Sequence, residues 1–425
     1  MAWWQIVLGV IVGLLVLVVL VILHELGHAW AARRNGVKVE EFGIGFPPRA
    51  KILGKYKGVL ITLNWLPLGG FCKMKGDDDF ANVKGDELDE RKRKSRDKDS
   101  FEAASFWAKT KIMFAGVFMN FLVACVIMTI LAFIGLPKIM PDQFMISSDN
   151  SGQAGIVEIA EVFEKTPADK SGLKNGDEIV ALSEVTENDC LKKYLDGDTE
   201  ILETCEINEK NSEKITESAQ VPEFTKKYQG KIISVEVLRD GKTMKYYARL
   251  NDDKAAEKSG YLGLQTAQKQ SATIKATWSA PLVGVVNTLQ FIWITIAGIG
   301  GMIADLFVGL WGLITGVAGA SEKIGAVGDS VAGPIGILGT IFPAAMASGG
   351  VEFLFLVGVI SLTLTVMNIL PIPGLDGGRW YLIAGFKLFR KELTKEKEET
   401  IVGIGMLVLF ALIILITISD VMKLW

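Results

Sequence analysis

Five stretches of this chain run for about the thickness of a bilayer without a charged side chain: residues 6–23, 112–134, 276–304, 353–375 and 401–419. A helix that crosses the hydrocarbon core needs roughly 20 such residues. The pattern predicts a polytopic α-helical membrane protein with about four transmembrane helices plus membrane-embedded helices. The segment 278–320 is apolar but interrupted by glycines and Asp305. It is expected to cross twice or to lie partly embedded, an even number of crossings either way. The first run is too long for the apolar part of a signal peptide, and no small-residue cleavage site follows it. It reads as a retained span, residues 1–35.

Between the spans the pattern changes period. Residues 36–76 hold Phe42-Gly43-Ile44-Gly45-Phe46-Pro47-Pro48 and then a run from Gly58 to Lys75 rich in β-branched and aromatic residues. Such residues bounded by glycine and proline predict a membrane-associated β-hairpin on the cytoplasmic side. Residues 77–100 mix both charges with almost no apolar side chain, as a solvated loop does. Residues 101–137 form the second span, with an amphipathic entry and Trp107 at interface depth. In that span Asn120 stands one helical turn after Gly116, and an amide in lipid calls for a protein partner.

Residues 147–270 predict an inserted, extracytoplasmic β-rich domain. Residues 156–162 alternate as a strand does; a short helix, a Gly-rich turn and a second strand follow from Thr166. Residues 184–230 are polar and acidic, as in a surface elaboration. Arg239-Asp240-Gly241-Lys242 joins two alternating runs as a hairpin turn, and residues 261–264 are positioned to close the sheet. Residues 273–340 are the embedded or interfacial helices, 350–380 a span, and 400–422 the last span.

Charge orients this plan. The net charge is only −3, and no basic surface suggests nucleic acid. Arg33, Arg34 and Lys38 follow the first span, Arg91 to Lys94 lie in the loop after it, and residues 387–397 form another basic loop. The positive-inside rule puts these loops in the cytoplasm, with the N-terminus and the β-rich insert outside. Of the four cysteines, Cys72 is in a loop, Cys125 in a span, and Cys190 and Cys205 in the insert. An oxidising exterior would let the last two pair; otherwise they are free thiols.

The chain has two histidines, and both lie in His24-Glu25-Leu26-Gly27-His28 at the end of the first span. Histidines four apart on a helix face the same way and can reach one metal ion, with the intervening glutamate placed as a proton acceptor. A catalytic zinc takes three protein ligands. With no third histidine, the candidates at membrane depth are Asp305, Glu352, Asp376 and Cys125. The topology favours Asp376, because its span runs inward and ends at the depth of His24 and His28. Pro371 and Pro373 break that helix just before it. The expected chemistry is zinc-assisted peptide hydrolysis, with one zinc ion on His24, His28 and Asp376 and with Glu25 as general base. Asn368, two turns before Asp376, suits either a hydrogen bond to a substrate backbone or a contact between helices. Gly43, Gly45 and the strand ending at Leu66 are placed to receive an unwound substrate segment.

The first-span motif, Asn368-x-x-Pro371-x-Pro373-x-Leu375-Asp376-Gly377 in a later span, and the topology between them resemble the site-2 protease family of intramembrane zinc metalloproteases. Residues 42–46, 66–71 and 333–337 resemble further signatures of that family, and the insert 147–270 resembles a single PDZ domain through Pro167-Ala168 and residues 171–177. Family members commonly have Ala-Gly-Pro before the second-span asparagine, where this chain has Ala115-Gly116-Val117. The resemblance implies a multi-pass protein of a bacterial cytoplasmic membrane. It implies cleavage of single-span proteins such as anti-sigma factors or remnant signal peptides, with the PDZ domain filtering substrates by size or binding exposed C-terminal peptides. The competing classes are a proton- or metal-coupled transporter, which would show inverted repeats or a path of buried charges, and a catalytically inactive PDZ adaptor.

Overall fold

The computed structural model describes residues 3–76, 98–140, 142–195, 207–253, 256, 259–270, 272–315, 333–391 and 393–424. Residues 77–97 of the charged loop expected at 77–100, the middle of the acidic stretch with Cys205, and residues 316–332 lie outside them. The chain divides into two compact units, Met1–Leu131 with Ala280–Trp425, and Ala132–Ser279.

Five helices of the first unit are long and apolar enough to cross a membrane. α1 spans Trp3–Arg34 and α2 spans Phe106–Ile134. α6 spans Ala280–Thr315, α8 Gly350–Ile369 and α10 Lys395–Leu424. Two shorter helices join them: the apolar α7 over Pro334–Ser348, with a π-helical turn at Ile337–Ile341, and α9 over Asp376–Leu388. Segment 278–320 departs from the double-crossing expectation. From Ala280 to Thr315 it is one continuous helix of 36 residues, about 54 Å at 1.5 Å per residue. Glycine lowers helix propensity by only about 1 kcal/mol, so its glycines weaken the helix without breaking it.

α1 is apolar all round, so small residues rather than an amphipathic stripe choose its packing face. Its buried positions are Gly9, Gly13, Leu20, His24, Gly27, His28, Ala31 and Ala32. A side chain at Gly9 would stand 2.5 Å from Pro343, and one at Gly27 would stand 2.4 Å from the Ala115 carbonyl. So α7 packs on the early part of α1, and α2 on the part that carries the histidines. α2 runs on so that Ile127 and Met128 touch Gly358 of α8, and Ser361 of α8 donates to the Asn120 carbonyl at 2.8 Å.

After α1, strands β1 (Val39–Tyr56) and β2 (Val59–Met74) fold as the expected hairpin, but each doubles back. Val39–Ile44 pair with Met74–Gly70, Glu41–Ile44 also pair with Leu60–Leu63, and Arg49–Tyr56 pair with Asn64–Val59. Four strand segments therefore lie side by side, and the segment ending at Met74 forms one edge. Val37, Val39, Phe42, Val59 and Met74 bury against Ala31 and Ala32 of α1 and Ile112 and Met113 of α2.

The second unit is a sheet in the order β8-β7-β5-β4-β9, with β6 pairing β5. Its strands are β4 (Ile156–Val162), β5 (Glu178–Val185), β6 (Glu209–Lys214), β7 (Ile232–Arg239), β8 (Lys242–Arg249) and β9 (Leu264–Gln270). A further short pair joins β3 (Leu136–Pro137) to β10 (Thr273–Ile274). Helices α3 (Pro167–Ser171), α4 (Asp189–Leu195) and α5 (Gln220–Lys227) accompany the sheet. Asp240 and Gly241 both take positive φ in the β7–β8 turn, as a two-residue hairpin loop requires. The stretch 184–230 is more than a surface elaboration: Ile215, Val221, Phe224 and Tyr228 join the main core. The last three recur at the spacing of one helix face, which a polar and acidic average conceals. Cys190 is disulfide-bonded, while Cys72 and Cys125 are in no disulfide.

Two polar devices hold this unit. Arg239 forks onto both carboxylate oxygens of buried Asp177 and also donates to the Gly172 carbonyl. Asp149 accepts from the backbone N–H and hydroxyl of both Thr277 and Ser279. Desolvation would raise its pKa, but these donors outweigh it and hold the carboxyl well below the usual carboxylate range. Its folded pKa is thus below its unfolded one, so the clamp's contribution is full above the unfolded value of 3.8 and fades as pH falls through the folded one. Acidifying from about pH 5 to pH 3 should lower the melting temperature of the full chain, and Asp149→Asn should reduce that fall. Asp177→Asn, which leaves Arg239 with a neutral partner, should cost roughly 3 kcal/mol in unfolding of the same unit.

Candidate metal centre

Three polar side chains converge between α1, α2 and the start of α9. His24 Nε2 and His28 Nε2 are 3.1 Å apart. Asp376 Oδ2 lies 3.0 Å from the first and 3.1 Å from the second. Both histidines are buried, at 9% and 7% exposure. Among the described residues these three form the only cluster of His, Cys, Asp or Glu with metal-ligand spacing.

Each arrives there for a local reason. The histidines lie one turn apart on the packed face of α1. Asp376 is brought in by the break after α8. That helix stops at Ile369, and Leu370 turns to extended backbone. Proline at 371 and 373 supplies no N–H to continue the helix. The chain re-enters helix at Asp376, whose charge suits a helix N-terminus. Gly377 and Gly378 make the reversal possible: a side chain there would stand 2.4 Å from the Ile369 carbonyl and 2.0 Å from the Ile372 carbonyl. α9 is then fixed by Trp380, which donates to Thr110 at 2.9 Å, and by Arg379, which pairs with Glu398 of α10 at 2.7 Å.

The other candidates are excluded by place. Asp305 is exposed on α6, Glu352 opens α8 at the opposite end from Asp376, and Cys125 hydrogen-bonds Thr288.

α2 supplies contacts that local pattern did not reveal. His28 Nδ1 meets the Ile112 carbonyl at 2.8 Å, and His24 Nδ1 meets the Asn120 amide at 3.1 Å. Between them, Gly116 sits where a side chain would stand 2.4 Å from His28 Nε2 and 2.7 Å from His24 Nε2. The only advance sign was a glycine and an asparagine one turn apart in an apolar span.

Glu25 lies beside the three donors, and the backbone N–H of Cys72 bonds to its carboxylate. The edge strand passes directly over it: a side chain at Gly70 would lie 3.4 Å from Glu25 Cγ. The residues expected to receive substrate have structural duties here. Gly43 accommodates the ring of Phe71, and Gly45, at φ 82°, accommodates the Leu66 carbonyl. Leu66 pairs with Phe46 and is half exposed. Asn368 turns its Nδ2 back to the Leu364 carbonyl of its own helix at 2.9 Å; that bond serves neither a substrate nor a second helix.

The donor set suits zinc. Two imidazole nitrogens and a carboxylate oxygen are ligands it accepts, and donors at about 2.0 Å from a tetrahedral centre lie roughly 3.3 Å apart. The triangle here has sides of 3.0 to 3.1 Å.

This is the geometry of a metal-binding site, and comparison with known sequences gives its class. A sequence profile of Peptidase family M50 matches residues 12–412. The chain is 27% identical over 422 residues to a protein of Clostridium acetobutylicum named "Putative zinc metalloprotease", covering 97% of both chains. Proteins of the same name from Campylobacter jejuni and Staphylococcus aureus are 27% and 26% identical, with 96% and 97% of this chain covered and 92% and 98% of theirs. The chain belongs to Peptidase family M50, the site-2 protease family. It is a zinc-dependent metalloendopeptidase and a membrane protein.

A methyl group at position 116 would occupy the space in front of both histidine nitrogens. Gly116→Ala should leave under about a tenth of the wild-type zinc in the purified protein, the upper part of the loss seen when ligand surroundings change. Gly298→Ala, where nothing lies within 4 Å, should leave the zinc content unchanged; metal analysis after desalting reads both.

Proposed function

We propose that this protein hydrolyses peptide bonds within or near the transmembrane segments of single-span membrane proteins, with one zinc ion held by His24, His28 and Asp376. The observation that carries this reading is the convergence of the three donors at a helix face that lies inside an apolar span, 32 residues long. Ionisable groups at such depth are expensive and are retained for function. Anti-sigma factors and remnant signal peptides are the substrate classes the family resemblance suggests.

A zinc ion at this site would polarise the scissile carbonyl and acidify a water molecule. The chain's own residues do the rest. Glu25 accepts the proton of the attacking water and returns it to the leaving amine. The Cys72 N–H holds the Glu25 carboxylate in place. A substrate helix must unwind before its carbonyls can be reached, and the segment ending at Met74 supports a place for it. Among the described residues this segment pairs only with β1, so its other edge can take an extended peptide by strand addition. Gly43, Gly45 and Leu66 shape that strand, and Asn368 would serve a substrate only after releasing Leu364.

The reading puts the metal site on the cytoplasmic side of a bacterial cytoplasmic membrane; the basic loops support that side. The packing of α1, α2 and α8 supports this depth. α1 and α8 bring their C-terminal ends toward the same site, and α2 enters from it, as the single crossing between His28 and the insert of β-strands requires. That insert would then be extracytoplasmic, acting as a PDZ-like filter or a receiver of exposed C-termini.

The test is cleavage of a single-span model protein by the purified chain. Glu25→Gln should lose about 10²- to 10⁴-fold in rate, the share general-base catalysis supplies, and should keep its zinc. Asp376→Asn should lose zinc and activity together, whereas Asp305→Asn should keep both. Unchanged cleavage by Glu25→Gln would overturn the proposal.

A further inference from the structure

Asn120 is 1% exposed, and its backbone carbonyl already accepts from Ser361. Its side-chain Nδ2 lies 3.1 Å from His24 Nδ1. Its Oδ1 is one of the few buried side-chain oxygens without a hydrogen-bond partner among the described residues. An unsatisfied buried acceptor costs about 1–3 kcal/mol, so its persistence beside a metal site calls for a reason.

The reason follows from proton bookkeeping on the two rings. A neutral imidazole carries one N–H. If Nε2 gives its lone pair to a metal, the proton must be on Nδ1. For His28 the environment already enforces this: Nδ1 faces the Ile112 carbonyl at 2.8 Å, and a carbonyl can only accept. His24 has no such carbonyl. Its Nδ1 faces an amide, which presents a donor or an acceptor according to its rotation. With Nδ2 toward the ring, the amide favours an unprotonated Nδ1 and so a protonated Nε2, which cannot bind a metal. With Oδ1 toward the ring, it favours the ligating form. The two ends of the amide have nearly the same size, so half a turn needs no extra room.

We infer that Asn120 is a positioning residue that sets the tautomer of His24: its Oδ1 accepts Nδ1–H of His24 whenever His24 Nε2 serves as a ligand. The amide acts through the ring rather than on substrate. The two histidines thus differ: His28 is held permanently in the ligating form by the backbone of α2, and His24 is set by a side chain that can rotate. The inference rests on the reading of His24 as a zinc ligand.

The chain has only two histidines, so selective labelling of imidazole nitrogen leaves four ring signals. In the zinc-loaded, full-length protein, the Nδ1–H signals of both histidines should be present and slow to exchange with solvent. Asn120→Leu should weaken zinc binding about 10- to 100-fold, as loss of a partner behind a ligating histidine does, and should shift the His24 signals while leaving those of His28. Asn120→Asp, an obligate acceptor of the same size, should restore zinc affinity to within about threefold, a difference near the 0.6 kcal/mol scale of RT. Zinc binding by Asn120→Leu equal to wild type, or equal loss in Asn120→Leu and Asn120→Asp, overturns the inference. So does an unprotonated His24 Nδ1 in the zinc-loaded wild type, a measurement that needs no variant to fold. Absence of zinc binding in the wild type would instead overturn the metal-site reading itself.

Discussion

The rest of the membrane unit depends on one constraint: three lone-pair donors about 3 Å apart must be held inside a region that penalises polar groups. Two unprotonated imidazole nitrogens and a carboxylate oxygen at that spacing repel unless a cation lies among them. The fold answers with rigidity rather than with added charge. α1 offers its histidines from a face of small residues, α2 presses its backbone against them at Gly116, and α9 is turned in by two prolines and two glycines. None of these elements is strongly polar; their task is to bring backbone close.

Close approach explains where the glycines fall. Gly27 admits the Ala115 carbonyl, Gly116 admits the histidine nitrogens, and Gly377 and Gly378 admit the carbonyls of the turn before them. Without a hydrophobic drive between helices in lipid, van der Waals contact and buried hydrogen bonds decide association. The contacts Ser361 to Asn120, Asn120 to His24, and His28 to Ile112 therefore do two things. They tie α8, α2 and α1 together, and they orient the rings. Stability and ligand geometry share the same bonds, so substitutions at these positions of α2 are expected to act on metal affinity and on folding together.

The edge strand over Glu25 adds a second coupling. It is carried by the sheet that buries Val39, Phe42 and Met74 against the ends of α1 and α2. A peptide added to that edge would meet Glu25 at a distance set by α1 itself. On the proposed reading, selection of substrate and placement of the base would rest on one packed corner.

Much of this was legible in the chain alone, because it depends on local pattern. Charge-free runs mark spans, whatever the spans touch. Two histidines at helical spacing share a face in any α-helix. Two prolines end a helix before Asp376, and basic loops place that end at the depth of His24. Alternation and an Asp-Gly turn mark β7 and β8. What the chain alone left open depends on contacts between residues far apart in sequence. No local signal pairs His24 with Asn120, 96 residues on, or His28 with a backbone carbonyl, because carbonyls are the same at every position. Gly116 resembled any small residue of a packed span until α2 was laid against α1. The continuity of α6 and the inward face of α5 were hidden for the same reason: average composition reports what a segment contains, and only tertiary packing decides which side of it is buried.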